Sequence, residues 1–151
     1  MQSSPRALLP TVGRMLLGVI WIAGAIFNAV WTLPSAFDVW EGLADDATFG
    51  VYRWFFGAVV GAAPDLMTLL LIVGELTLGV LLLARDPWAR AGAALSVVWC
   101  LFLLFLIMPY TLTTLPLLAL AAWLLRYDHE QSAIDLLRHR GVHDHLHRVG
   151  V

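Results

Sequence analysis

Four long apolar runs, each with arginine near one end, divide the chain: Met15–Leu33, Leu66–Ala84, Trp88–Met108 and Pro109–Leu125. Each approaches the ~20 residues that an α-helix needs to cross a hydrocarbon core of ~30 Å. The pattern predicts an all-α integral membrane four-helix bundle. Its first two helices are joined by a long connector, Pro34–Asp65, and the rest by short turns. The fourth run is the shortest and contains Pro116. In the connector, Phe37, Trp40, Leu43 and Ala44 recur at helical spacing, with Asp38, Glu41, Asp45 and Asp46 between them. That spacing predicts a short amphipathic helix on the outer interface, its aromatic rings at headgroup depth. Val51–Ala63 is apolar but too short to span, so it lies flat, dips in or caps the bundle. Gly57 and Gly61 have the GxxxG spacing that lets a neighbouring helix approach, although ordinary close packing explains them as well.

Composition supports the pattern. The chain is 60% hydrophobic and 13% charged, with a mean hydropathy of +0.81. Soluble domains hold about 45–50% apolar and ~25% charged residues. Nearly all of the 151 residues are committed to spans and connections, which leaves no room for a separate soluble domain. The division expected is a transmembrane domain over 1–126 and a cytoplasmic His/Arg-rich tail over 127–151.

Net charge is only -2, but the placement of the arginines carries information. Arg6 and Arg14 precede the first run, and Arg85 and Arg90 lie between the second and third. Arg126, Arg138, Arg140 and Arg148 follow the fourth, and only Arg53 falls in the acidic connector. Positive charge is retained on the cytoplasmic side. Both termini and the Arg85–Arg90 turn are therefore expected in the cytoplasm, and the connector and the Met108–Leu112 turn outside. The first run is long, lacks a small-x-small cleavage site and ends in Trp31-Thr32-Leu33-Pro34, so it is expected to remain as a span.

Polar residues inside the spans are the candidate chemistry. Glu75 lies about 15 Å from either end of its run, at the midplane, where an acidic side chain costs about 2.5–3.5 kcal/mol. Such a residue faces the bundle interior and is either protonated or paired. It can serve as a hydrogen-bond donor, a proton carrier or a ligand anchor, or as a structural hydrogen bond between helices. On the first run Arg14, Trp21 and Asn28 are spaced by seven, with Gly18, Ala25 and Thr32 interleaved at the same period. Rise per residue puts Asn28 within several Å of Glu75's depth, near enough to donate to it directly or across a ligand or water. The same stripe is equally the bundle-facing side of its helix, with Trp21 as core filler. The third run offers Gly92, Ser96, Trp99 and Leu103 as a comparable face, so a small polar cavity among helices one to three is expected. Glu75, Asn28, Trp21 and Trp99 are the candidate ligand-binding residues.

Other chemistries are disfavoured. Cys100 is the sole cysteine, so neither an intramolecular disulfide nor a CxxC redox centre can form. The spans hold no histidine to ligate a haem. No phosphate loop, nucleophile elbow or zincin motif occurs, and no catalytic residue can be named. Asp128–Arg140 can form a short amphipathic helix stopped by Gly141, followed by His139, His143, Asp144, His145 and His147 crowded together. Alternating histidines can ligate zinc, copper or nickel, but a solvated tail touching anionic headgroups is the simpler expectation, so no metal site is assigned. The basic tail is too small and too close to the membrane to imply nucleic acid.

Two motifs carry a resemblance. Arg14-x3-Gly18-x5-Gly24-x3-Asn28 resembles the opening of DoxX-like proteins. So does Gly74-Glu75-x3-Gly79-x2-Leu82-Leu83, followed by the turn with Arg85 and Arg90. These are small four-helix membrane proteins, and the resemblance covers roughly residues 12–126. It implies a subunit of the bacterial inner membrane working with a protein partner in a quinone- or thiol-linked redox system. No covalently bound cofactor is implied, and a quinone or membrane lipid is the candidate ligand near Glu75. The alternatives are a non-catalytic accessory subunit of a larger respiratory or envelope complex and a small transporter component. The absence of a paired internal repeat weakens the last.

Overall fold

The computed structural model describes the backbone of residues 5–104 and 108–129, and the side chains of 9–104 and 114–129. Every regular element among the described residues is helical. They are α1 (Pro5–Phe27), α2 (Ala36–Asp46), α3 (Gly50–Trp54), α4 (Pro64–Leu83), α5 (Trp88–Leu104) and α6 (Met108–Leu124). α1 packs along α4, α4 along α5, α5 along α6, and α6 closes back on α1.

The first helix does not stop at Pro34. A π turn over Asn28–Thr32 and a 3₁₀ turn over Leu33–Ser35 carry it into α2. Proline lacks the N–H that would continue the α ladder. The backbone adapts by widening before it: the Leu33 N–H bonds five residues back to the Asn28 carbonyl, and the Ser35 hydroxyl donates to the Trp31 carbonyl at 3.0 Å. The break expected between first span and amphipathic helix is thus a change of helical pitch. Among the described residues two helices are long and apolar enough to cross a membrane, Leu9–Asp46 and Pro64–Leu83. α5 and the apolar stretch Thr114–Leu124 of α6 are shorter.

α2 and the helical segment after it cap one end. Ala44, Phe56 and Val60 are buried there with Trp40, Leu43, Met67 and Leu103 packed around them, and Trp40 stacks on Phe56 at 5.5 Å. The Trp40 indole donates to Thr68 on α4 at 2.8 Å. Phe37 of the same helix is exposed, because its packed stripe runs through Ala36, Trp40, Leu43 and Ala44. Gly57 has open space around it, so its GxxxG spacing seats no helix among the described residues. Met108–Leu112, expected as a turn, opens α6 instead, with Pro109 in the first helical turn where its missing N–H is harmless.

Close helix crossings lie elsewhere. A Cβ on Gly79 would stand 2.5 Å from Ile22 Cγ1 and 2.9 Å from the Gly18 carbonyl oxygen, so bare backbone is required where α1 meets α4. A Cβ on Gly92 would stand 2.9 Å from Leu81 Cβ, which sets α5 equally close to α4. Accordingly α5 buries Ala89, Gly92, Ala93, Ser96 and Cys100, while Trp99 and Leu103 lie half-buried on its flank. The expected face is rotated toward Cys100 because the small residues take the contact.

The distribution of polarity is inverted. Leu16, Val19 and Ile26 of α1, Leu70, Val73 and Val80 of α4, and Leu95 and Val98 of α5 are exposed. Arg14, Thr32, Thr68, Glu75, Ser96 and Thr114 are buried.

Candidate functional site

The α1–α4 seam brings Asn28 and Glu75 together. Asn28 Nδ2 donates to Glu75 Oε2 at 2.8 Å, and Glu75 is only 8% exposed. Gly24 makes this possible: a Cβ there would lie 3.3 Å from Glu75 Oε1 and 3.4 Å from its carboxyl carbon. The carboxyl group is therefore seated against the bare backbone of α1. Thr32, at the end of the π turn, donates its hydroxyl to Asn28 Oδ1 at 2.7 Å. With its carbonyl occupied by Thr32, the amide presents its NH₂ to α4, which fixes the orientation of a group that either face could otherwise fill. Thr32, Asn28 and Glu75 form one directed chain of hydrogen bonds.

Of the other expected site residues, Trp21 lies in the adjoining layer of the same seam. Its ring is 5% exposed, and its indole N–H is buried without a partner among the described residues. It shares an apolar cluster with Leu17, Leu78, Leu82, Ala93 and Cys100. Trp99 packs on the flank of that cluster and lies tilted against Phe102, with ring centres 6.2 Å apart. The structure thus joins Asn28 to Glu75, sets Trp21 beside them, and leaves Trp99 on the flank of a different helix.

A second buried polar group lies at the end of the bundle where Arg14, Arg85, Arg90 and Arg126 collect. The Asp86 N–H donates to the His129 carbonyl at 3.0 Å, and the His129 N–H donates to Asp86 Oδ2 at 2.7 Å. Arg14, buried beneath this clasp, donates to the Ala84 carbonyl at the end of α4. His129 Nε2 lies 3.2 Å from the Leu124 carbonyl, in position to cap α6. Burial and the Arg14 charge hold the His129 imidazole below the usual histidine range, while Asp86 pulls the other way. At the surface Arg90 pairs with Asp128 at 3.3 Å.

Sequence reasoning missed this clasp because Asp86 and His129 are separated by two helices with no periodicity to link them. It also missed the roles of Gly24 as a seat and of Thr32 as an orienting hydroxyl, although Thr32 lay on the predicted stripe. Among the described residues no group of three or more metal-ligating side chains forms. The helix expected over Asp128–Arg140 and the histidines from His139 to His147 fall, beyond His129, outside the described residues.

Comparisons with family models, with curated proteins and with solved structures find nothing that matches this chain.

Proposed function

We propose that this chain is a four-helix protein of the bacterial inner membrane, similar to DoxX-like proteins. In this reading it is a subunit of a quinone- or thiol-linked redox system and holds a hydrophobic ligand or a partner's substrate beside Glu75. The inverted polarity supports the membrane setting: an apolar exterior around a core with buried arginine, glutamate, serine and threonine suits a hydrocarbon solvent. From Arg14 to Trp31 the helix rises about 25 Å, close to the thickness of that solvent. Exposed Trp88 and Tyr127 accompany the arginines, and exposed Trp31, Phe37 and Trp54 occupy the opposite end, as two aromatic belts require. The arginine-bearing end is the cytoplasmic one in this reading, and α5 and α6 complete the set of spans.

The observation that carries the ligand role is the buried Asn28–Glu75 pair. An acidic residue at that depth is retained for function or for a hydrogen bond between helices. Native-nanodisc purification with mass spectrometry of the accompanying proteins and small molecules tests the proposal, comparing wild type with Glu75→Gln. The expected result is a redox partner or a quinone-like or lipid-like molecule that is depleted in the variant while assembly stays intact. Recovery of the same molecules with both proteins contradicts it. Recovery within a large complex whose cofactors all belong to other chains favours an accessory role, which the exposed aromatic residues Phe37, Phe49 and Trp54 of the capping end would serve.

A further inference from the structure

Which polar valences remain open in the α1–α4 seam defines what a ligand there can be. Asn28 Oδ1 is occupied by the Thr32 hydroxyl, and Glu75 Oε2 by the Asn28 amide. The Trp21 indole N–H is buried and has no acceptor among the described residues. Trp21 lies one helical turn from Gly24 and Ala25 on α1, between the Gly24–Glu75 contact and the Gly18–Gly79 crossing. Leu78, which shares Trp21's apolar cluster, is one turn from Glu75 on α4. The indole and the Asn28–Glu75 pair therefore occupy adjoining layers of one seam. Buried indole N–H groups ordinarily have a hydrogen-bond partner, and leaving one without costs free energy. The buried cluster that Trp21 shares includes Leu17, Leu78, Leu82, Ala93 and Cys100, which offer no acceptor side chain of ordinary strength.

We propose that Trp21 is the anchoring donor of this site, and that the ligand held beside Glu75 is an apolar molecule with a carbonyl or ester oxygen accepting from Trp21 Nε1–H. This deepens the ligand reading of the Glu75 site and rests on it. The open donor is the Trp21 indole N–H and the cluster around its ring is apolar, which suits an apolar molecule that carries an acceptor oxygen. Quinone rings and acyl-lipid esters share the required chemistry.

The test is the indole ¹H–¹⁵N spectrum of the full chain, labelled at tryptophan, in maltoside micelles. Trp21→Phe, which keeps an aromatic ring but removes the N–H with the pyrrole half of the indole, assigns the resonance. The probes are a decyl-substituted 1,4-benzoquinone, a short-chain diacylglycerol and, as a control without carbonyls, decylbenzene. The Trp21 resonance is expected to move downfield with one of the two carbonyl probes, which identifies the source, and to stay in place with decylbenzene. Trp21→Phe is expected to weaken binding of that probe about fivefold, the effect of one neutral hydrogen bond. A resonance unmoved by both carbonyl probes overturns the proposal. So does one already at a hydrogen-bonded position without any probe, the mark of a water in the seam. If Glu75→Gln weakens probe binding while Trp21→Phe does not, the Glu75 site stands and the Trp21 anchor falls. If neither variant changes binding, both fall.

Discussion

Near the arginine-rich end, Arg14 and His129 are buried and Asp86 half-buried against backbone: a carbonyl at the end of α4, the N–H and carbonyl groups of the clasp, and the Leu124 carbonyl of α6. Halfway along α4, Glu75 has a single side-chain amide and the bare backbone of Gly24. At helix ends the backbone leaves donors and acceptors unused, so charge can be buried there with many partners. In mid-helix the backbone N–H groups are already paired, so a carboxyl group that needs a donor must find it on another side chain. The end cluster is thus rich in partners and titratable, while the middle cluster depends on one contact held by helix spacing.

The largest effect is expected where that spacing is set. Gly79→Leu would drive side-chain atoms into Ile22 and the Gly18 carbonyl, so α1 and α4 must separate. A loss of about 3 kcal/mol or more is expected in detergent unfolding, with the Asn28–Glu75 contact broken as well. The same change at Gly57, which has open space around it, is expected to leave the seam intact.

The next effect isolates the pair. Asn28→Leu leaves Glu75 without its donor and is expected to destabilise by about 1–3 kcal/mol. Adding Glu75→Leu should recover much of that loss, since removing both partners is far less costly than removing one. The double-mutant cycle is expected to give a coupling of about 0.5–2 kcal/mol, and a value near zero would sever the two residues energetically.

Little of this contrast was legible in the sequence, and the reason is physical. Helix existence, the arginine-marked ends and the shared depth of Asn28 and Glu75 follow from periodicity and rise per residue, which are local quantities. The continuation of α1 past Pro34 was hidden because proline's effect depends on whether the preceding turn can widen. Trp99 was assigned to a buried face that the small residues of α5 take instead, since close crossings favour Gly92, Ala93 and Ser96 over a large ring. The Asp86–His129 clasp depends on how α5 and α6 return the chain to its starting end, and no spacing rule encodes that.

Smaller again is the effect of pH, and it separates the two regions. Because burial and Arg14 hold His129 below the usual histidine range, the folded clasp favours the neutral ring. Its contribution to stability is present above about pH 6.5 and is lost as pH falls through the lowered native value. The protection factors of the Asp86 and His129 amides, taken relative to intrinsic exchange at each pH, are therefore expected to fall between pH 7.5 and 5.5, and His129→Gln to abolish that dependence. A parallel fall in protection at mid-α4 amides would show that the clusters are not independent. The smallest change is expected for Arg90→Ala: its partner Asp128 is 80% exposed, so stability should shift by no more than about 0.5 kcal/mol.

The proposed role of Glu75 turns on its buried contact between α1 and α4, and solid-state NMR in lipid bilayers reads that contact directly. With ¹⁵N in the Asn28 side chain and ¹³C in the Glu75 carboxyl group, dipolar recoupling is expected to report a contact matching the 2.8 Å hydrogen bond, and Gly79→Leu to abolish it. Absence of coupling in the wild-type protein would contradict the account, leaving Glu75 without the partner on which its proposed role depends.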